Sequence, residues 1–99
     1  MIVEITATAE ADLEAIGDYI AHDNPARAVT FIRELYQCCV ELEDMPLAWP
    51  IVPRYEQHGI RRRVHGRYLI FYRIGHERVT VLHIVNGAMD IEAILFPKG

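Results

Sequence analysis

Hydrophobic and polar positions change their spacing twice along the chain. Ile2, Val3 and Ile5 open it in a β-rich run ending at Thr6, which predicts a strand over residues 2–7. Leu13, Ile16 and Ile20 then recur at helical spacing, and the periodicity predicts a first helix to about Ala21. Thr8 is the expected N-cap, because its hydroxyl accepts an orphan backbone N–H. Glu10, Asp12 and Glu14 place negative charge near the positive end of that helix. Asn24-Pro25 restarts the chain: asparagine caps, and proline at the first helical position loses only an N–H that was unpaired anyway. Val29, Ile32, Leu35 or Tyr36, Cys39 and Leu42 form a second stripe, so a second helix is expected to about Asp44. Met45-Pro46 stops it, since the residue before proline is driven out of the α region. Two helices joined this tightly form an antiparallel hairpin.

Residues 46–59 contain proline, Trp49 and Gly59, with Leu47, Ile51 and Val52 too apolar to float free; they read as an ordered connector. From Ile60 the period becomes two. Ile60, Arg62 and Val64 alternate with Arg61, Arg63 and His65. Gly66-Arg67 reads as a turn or bulge. Tyr68, Ile70, Tyr72 and Ile74 alternate with Leu69, Phe71 and Arg73, and Gly75-His76-Glu77 reads as a hairpin loop. Val79, Val81, His83 and Val85 alternate with Thr80, Leu82 and Ile84, giving a three-stranded meander. Its later strands are apolar on both faces, so the helical hairpin should cover one face and another segment the other. Asn86-Gly87 ends the last strand. Met89, Ile91, Ile94, Leu95 and Phe96 form a tail of one or two helical turns. The order β-α-α-β-β-β is an α+β architecture: a helical hairpin packed on a small, twisted, mainly antiparallel sheet, with a short C-terminal helical tail.

Composition narrows the picture. Ninety-nine residues, 52% hydrophobic and 24% charged, suit one globular domain over residues 1–99. That length excludes a dinucleotide-binding domain or a repeat array. The longest apolar run, residues 68–72, is far below the ~20 residues of a membrane span. The first eight residues carry Glu4 and no basic residue, unlike a signal peptide, so a cytoplasmic location is expected. Cys38 and Cys39 are adjacent, a spacing that strains a disulfide on a helix and leaves core packing as the expected role.

Serine is absent, neither cysteine has a telling histidine or asparagine nearby, and no glycine-rich phosphate loop is present. His22, His58, His65, His76 and His83 are scattered, without metal-ligand spacing; no cofactor or metal is expected. His83, inside a strand, reads as a packed or interface histidine. The charge is more informative. Residues 1–50 hold Arg27 and Arg33 against ten acids, whereas residues 51–99 hold seven arginines and one lysine against four. Most of that basic charge lies in Arg61, Arg62, Arg63, Arg67 and Arg73, close to His65, Tyr68 and Tyr72. Strand alternation puts Arg61 and Arg63 on one face and Arg62 on the other. Arginine grips phosphates or carboxylates, so a nucleic acid or an acidic protein segment fits; a charged edge strand guarded against self-pairing fits as well.

Several of these stretches in order resemble the ParE/RelE toxin superfamily of bacterial toxin–antitoxin modules. They are Ala9-Glu10-Ala11-Asp12-Leu13-Glu14-Ala15-Ile16, the restart Asn24-Pro25-Ala26-Arg27-Ala28, and above all Arg62-Arg63-Val64-His65-Gly66-Arg67-Tyr68-Leu69-Ile70-Phe71-Tyr72-Arg73-Ile74. Val79-Thr80-Val81-Leu82-His83-Ile84-Val85, with Asp90 behind it, completes the set. The resemblance implies one of two activities. RelE-like members cleave mRNA on the ribosome; ParE-like members poison DNA gyrase without a nuclease set. Where the nucleases carry a catalytic arginine in the middle strand, this chain has Leu69. Where they carry arginine or histidine after the last strand, it reads Asn86-Gly87-Ala88-Met89, which also departs from the basic residue common in ParE-like chains. Only Arg62 falls on a basic nuclease position, and no tyrosine follows Asp90. The resemblance therefore implies a ParE-like, non-enzymatic gyrase inhibitor neutralised by a ParD-like antitoxin, which would make most of the complex's DNA contacts. Its target contacts would be Arg61, Arg62, Arg63, Arg67, Arg73, Asn86 and Met89, with the tail over residues 89–96. Its antitoxin anchors would be Tyr19, Tyr36, Trp49, Tyr68 and Tyr72. The alternatives are a RelE-like endoribonuclease, or a toxin fold that binds antitoxin without being toxic.

Overall fold

A computed structural model describes residues 1–97. Strand β1 (Ile2–Ile5) leads into helix α1 (Ala7–Asp23), and α2 (Pro25–Val40) follows at once. The N-cap of α1 is Thr6, not the expected Thr8. Thr6 keeps an extended backbone, accepts the Ala9 N–H at 3.1 Å and donates its hydroxyl to the Val81 carbonyl at 2.9 Å. That second bond joins the helix start to the sheet, so β1 ends at Ile5. Asn24 caps α2 as expected, accepting the Arg27 N–H at 3.0 Å. The α-helix stops at Val40, and a 3-10 turn over Glu41–Glu43 tightens the end predicted near Asp44. The helices approach closely at Gly17, where an added Cβ would stand 3.3 Å from Ile32 Cγ1.

Strands β2 (Ile60–His65), β3 (Tyr68–Gly75) and β4 (Arg78–Asn86) form the expected antiparallel meander. β1 joins it beside β4, parallel, giving the order β1-β4-β3-β2. A register shift opposite Phe71 and Tyr72 interrupts the β3–β4 ladder. Helix α3 (Ile91–Leu95), capped by Asp90, forms the tail.

Both faces of the sheet are covered. On one, Leu13, Ile16, Phe31, Leu35, Cys39 and Leu42 pack against Ile70, Tyr72, Val79, Val81 and Ile84. On the other, Phe71, Val85 and Ile60 meet Val52 from the connector, with Leu95 and Phe96 from the tail. The connector also shields the edge of β2: Ile51 bridges Arg61, and the Val52 N–H donates to the Ile60 carbonyl at 2.9 Å.

Both cysteines are free and buried. Burial pushes the Cys39 thiol up to about 12 and raises that of Cys38. Because the thiolate is the reactive form, neither should be modified quickly by an aromatic disulfide reagent at pH 8, and both should react once urea unfolds the chain. Rapid labelling of the native chain would contradict this packing.

Candidate functional site

The arginine run is divided by the sheet. Arg61 and Arg63 point toward the helices, and both are already bound. Arg61 Nη1 donates to the Trp49 carbonyl at 2.7 Å. Arg63 Nη1 donates to the Cys38 carbonyl at 3.0 Å, and its Nη2 pairs with Glu41 at 2.8 Å. The Arg63 guanidinium lies 4.2 Å from the centre of the Trp49 ring, and its side chain is only 16% exposed. The hydrogen bond from Arg63 holds the Glu41 carboxyl below its ordinary range. His65, on the same face, lies 2.9 Å from Glu34, which Arg27 also grips. Those two hydrogen bonds, Arg27's first, lower the Glu34 carboxyl. Arg62 is half-buried on the opposite face, together with the exposed Arg73, and Arg67 is exposed in the β2–β3 turn.

The aromatic anchors separate as well. Tyr72 is a correction: it is fully buried and donates its hydroxyl to the Pro46 carbonyl at 2.6 Å, so it is a core residue with no surface for a partner. Alternation reveals which residues share a face but not how deeply that face is covered. Trp49 is half-buried beneath Arg63. Tyr36 is half-buried and donates to Glu10, a hydrogen bond that, with burial, pushes its phenol up to about 12. Tyr19 is 75% exposed.

Tyr19 and Tyr68 converge on an open groove of about 510 Å³ between α1, the end of β4 and the tail. Asn86 and Met89 line it too, so four of the expected site residues meet there. Met89 is exposed, and Tyr68 is braced by the Phe31 ring, with centroids 5.5 Å apart. The Asn86 side chain accepts the Ala88 N–H at 2.9 Å, which shapes the turn at the groove's mouth.

One wall contains a pair that sequence reasoning did not connect. Asp12 Oδ2 lies 3.0 Å from His83 Nδ1 and accepts the Ile84 N–H at 2.9 Å. The register shift in β3–β4 lies beside His83, and β1 pairs with β4 only as far as Val81. Asp12 therefore supplies an acceptor for backbone that β1 leaves unpaired. Both residues were visible as a helix-start acid and a strand histidine; their meeting depends on the sheet order. At the expected nuclease position, Leu69 is half-buried against the outer cluster. Among the described residues no group of three or more His, Cys, Asp or Glu is placed to hold a metal. Nor, among them, is any helix long and apolar enough to cross a membrane.

Comparison with known proteins agrees with this geometry. A family model described as the ParE toxin of the type II toxin–antitoxin system parDE matches residues 3–91. The fold is similar to a chain of the chromosomal ParDE toxin–antitoxin system from P. aeruginosa, with a TM-score of 0.74 and 21% identity over 87% of this chain and 95% of that one. It is also similar to a chain of the RelBE2 toxin–antitoxin complex from Mycobacterium tuberculosis, with a TM-score of 0.62 and 26% identity over 86% of this chain and 95% of that one. No curated protein sequence matches the chain significantly.

Proposed function

The chain belongs to the ParE toxin family of type II toxin–antitoxin systems, and from that premise we propose that it is a cytoplasmic toxin that acts by binding, with DNA gyrase as its target and a ParD-like antitoxin as its inhibitor. The observation that supports a protein partner is the groove itself. It is apolar and open, and Tyr19 and Met89 stand exposed at 75% and 55%. Aromatic and methionine side chains of this kind are the usual anchors of a protein interface. An antitoxin segment laid along α1 would bury Tyr19, Tyr68 and Met89 together. The arginines left for a target are Arg62, Arg67 and Arg73, because Arg61 holds the connector, and Arg63 the end of α2, to β2.

Binding rather than cleavage is favoured by the same division. In-line cleavage of RNA needs a base, an acid and cationic stabilisation of the transition state. Leu69 supplies none of these, Asn86 and Met89 are uncharged, and Arg62 alone leaves a cation without an acid–base pair. The test is a DNA-damage-response reporter in cells induced to make this chain alone. Growth arrest with a strong reporter signal is expected. Arrest with cleaved transcripts and no reporter signal would replace this reading with the ribonuclease one, which the likeness to the RelBE2 chain keeps in view. Normal growth would leave an antitoxin-binding protein without toxicity.

A further inference from the structure

Arg73 differs from most arginines around it. Arg61 donates to a backbone carbonyl, Arg63 pairs with Glu41, and Arg78 pairs with Glu4. Arg73 is exposed and has no ion-pair partner among the described residues. It lines a cavity of about 310 Å³ between the start of α1, β4 and the tail. Thr8, His58 and His83 share that cavity, and no acidic residue among those described lines it. His83 Nδ1 is engaged by Asp12 at 3.0 Å, which leaves Nε2 as its uncommitted ring nitrogen. The cavity thus gathers a guanidinium, a hydroxyl and two imidazoles, with Asp12 behind His83 as the one acidic partner among the described residues and none on Arg73 or His58.

The remaining wall is apolar. Leu82 and Phe96 line it, and the Phe96 ring packs at a tilt against His58 at 4.6 Å and against Tyr55 at 5.0 Å between centroids. Arg62 lies one step along the same face of the sheet: it stands opposite Phe71, while Arg73 stands opposite Ile60. Such diagonal neighbours on adjacent strands are about 7–8 Å apart. A second cation therefore lies beside the first.

We propose that this cavity takes a phosphate group of a single-stranded nucleic acid on Arg73, Thr8 and the two histidines, with the adjoining base against Phe96 and His58. Arginine holds phosphate oxygens through paired N–H donors, and an aromatic ring accepts any unstacked base. A duplex keeps its bases stacked and leaves the rings unused. An acidic peptide meets the cations but not the rings. This inference does not depend on gyrase being the cellular target.

Fluorescence anisotropy of the full chain with a labelled oligothymidylate of about ten nucleotides tests it. The strand is expected to bind at low salt, more tightly than a duplex of the same length. Arg73→Ala should weaken binding about tenfold or more and reduce the slope of log affinity against log salt by about one. Phe96→Ala should weaken binding of the strand at least about fivefold. Arg33→Ala, an exposed change on α2, should match the native chain. Arg73 is exposed, so its variant should keep the native circular dichroism spectrum. Equal affinity of Arg73→Ala and Arg33→Ala would overturn the proposal, as would absence of binding at low salt. Polyglutamate competing as well as the strand would reassign the cavity to an acidic protein segment.

Discussion

Replacing Phe71 with alanine is expected to lower the free energy of unfolding by about 3–5 kcal/mol, the usual range for truncating a buried phenylalanine. That is a large part of the roughly 5–15 kcal/mol a natural domain holds. Phe71 is 0% exposed and belongs to the cluster on the outer face of the sheet, with Val52, Ile60 and Val85. Leu69, Ile91, Ile94, Leu95 and Phe96 pack against the same cluster. The cavity left by alanine would therefore remove support from both the connector and the tail. Urea unfolding measures the loss, and amide exchange over residues 91–96 should quicken more than exchange in α1. Phe71→Leu keeps most of the volume and should cost under about 2 kcal/mol. A loss below 1 kcal/mol for Phe71→Ala, by the same scale, would mean that the outer cluster is not a second core.

The next largest effect is expected at Arg63. Arg63→Ala removes the ion pair with Glu41, the hydrogen bond to the Cys38 carbonyl and the contact with the Trp49 ring. A hydrogen bond from a charged group contributes about 1.5–3 kcal/mol, and a partly desolvated cation–π contact about 1. Glu41 is 37% exposed, so solvent screens much of its share. The total loss is expected near 2–4 kcal/mol, dominated by the bond to Cys38 and the stacking on Trp49. Arg62→Ala, one residue earlier on the other face, should change stability by no more than about 0.5 kcal/mol. Paired urea curves of the two variants give the comparison. Equal midpoints would show that Arg63 does not hold α2 and the connector to β2. Under the proposed function, lost toxicity in Arg63→Ala would report a less stable fold, whereas lost toxicity in Arg62→Ala or Arg73→Ala would report a lost contact.

These residues also separate what is local from what is not. Asn24-Pro25 marks a helix start because a cap and a fixed φ act within one turn. The period-two pattern from Ile60 to Val85 marks three strands because side chains on a strand alternate by geometry alone. The apolar character of both faces of β3 and β4 called for a second cover, and the connector and tail provide it. The choice between Thr6 and Thr8 lay beyond local pattern. Both are threonines near the same helix start, and the hydroxyl of Thr6 reaches Val81 only once β1 lies beside β4.

The same limit governed the site. Alternation placed Arg61 and Arg63 together and Arg62 apart, yet it does not reveal which face the helices cover. That depends on burial of one face by Leu13, Leu35 and Leu42, a property of layers and not of spacing. Tyr72 looked like an anchor and is core for this reason. Asp12 and His83 lie far apart along the chain, and so do Arg73 and Phe96. Strand order, the β3–β4 register shift and the returning tail bring each pair to one site. Local propensity and period determined the elements and the family pattern of this protein. Its groove, its bound and unbound arginines and its second cavity were decided by tertiary packing, because proximity between distant residues has no signature in local spacing.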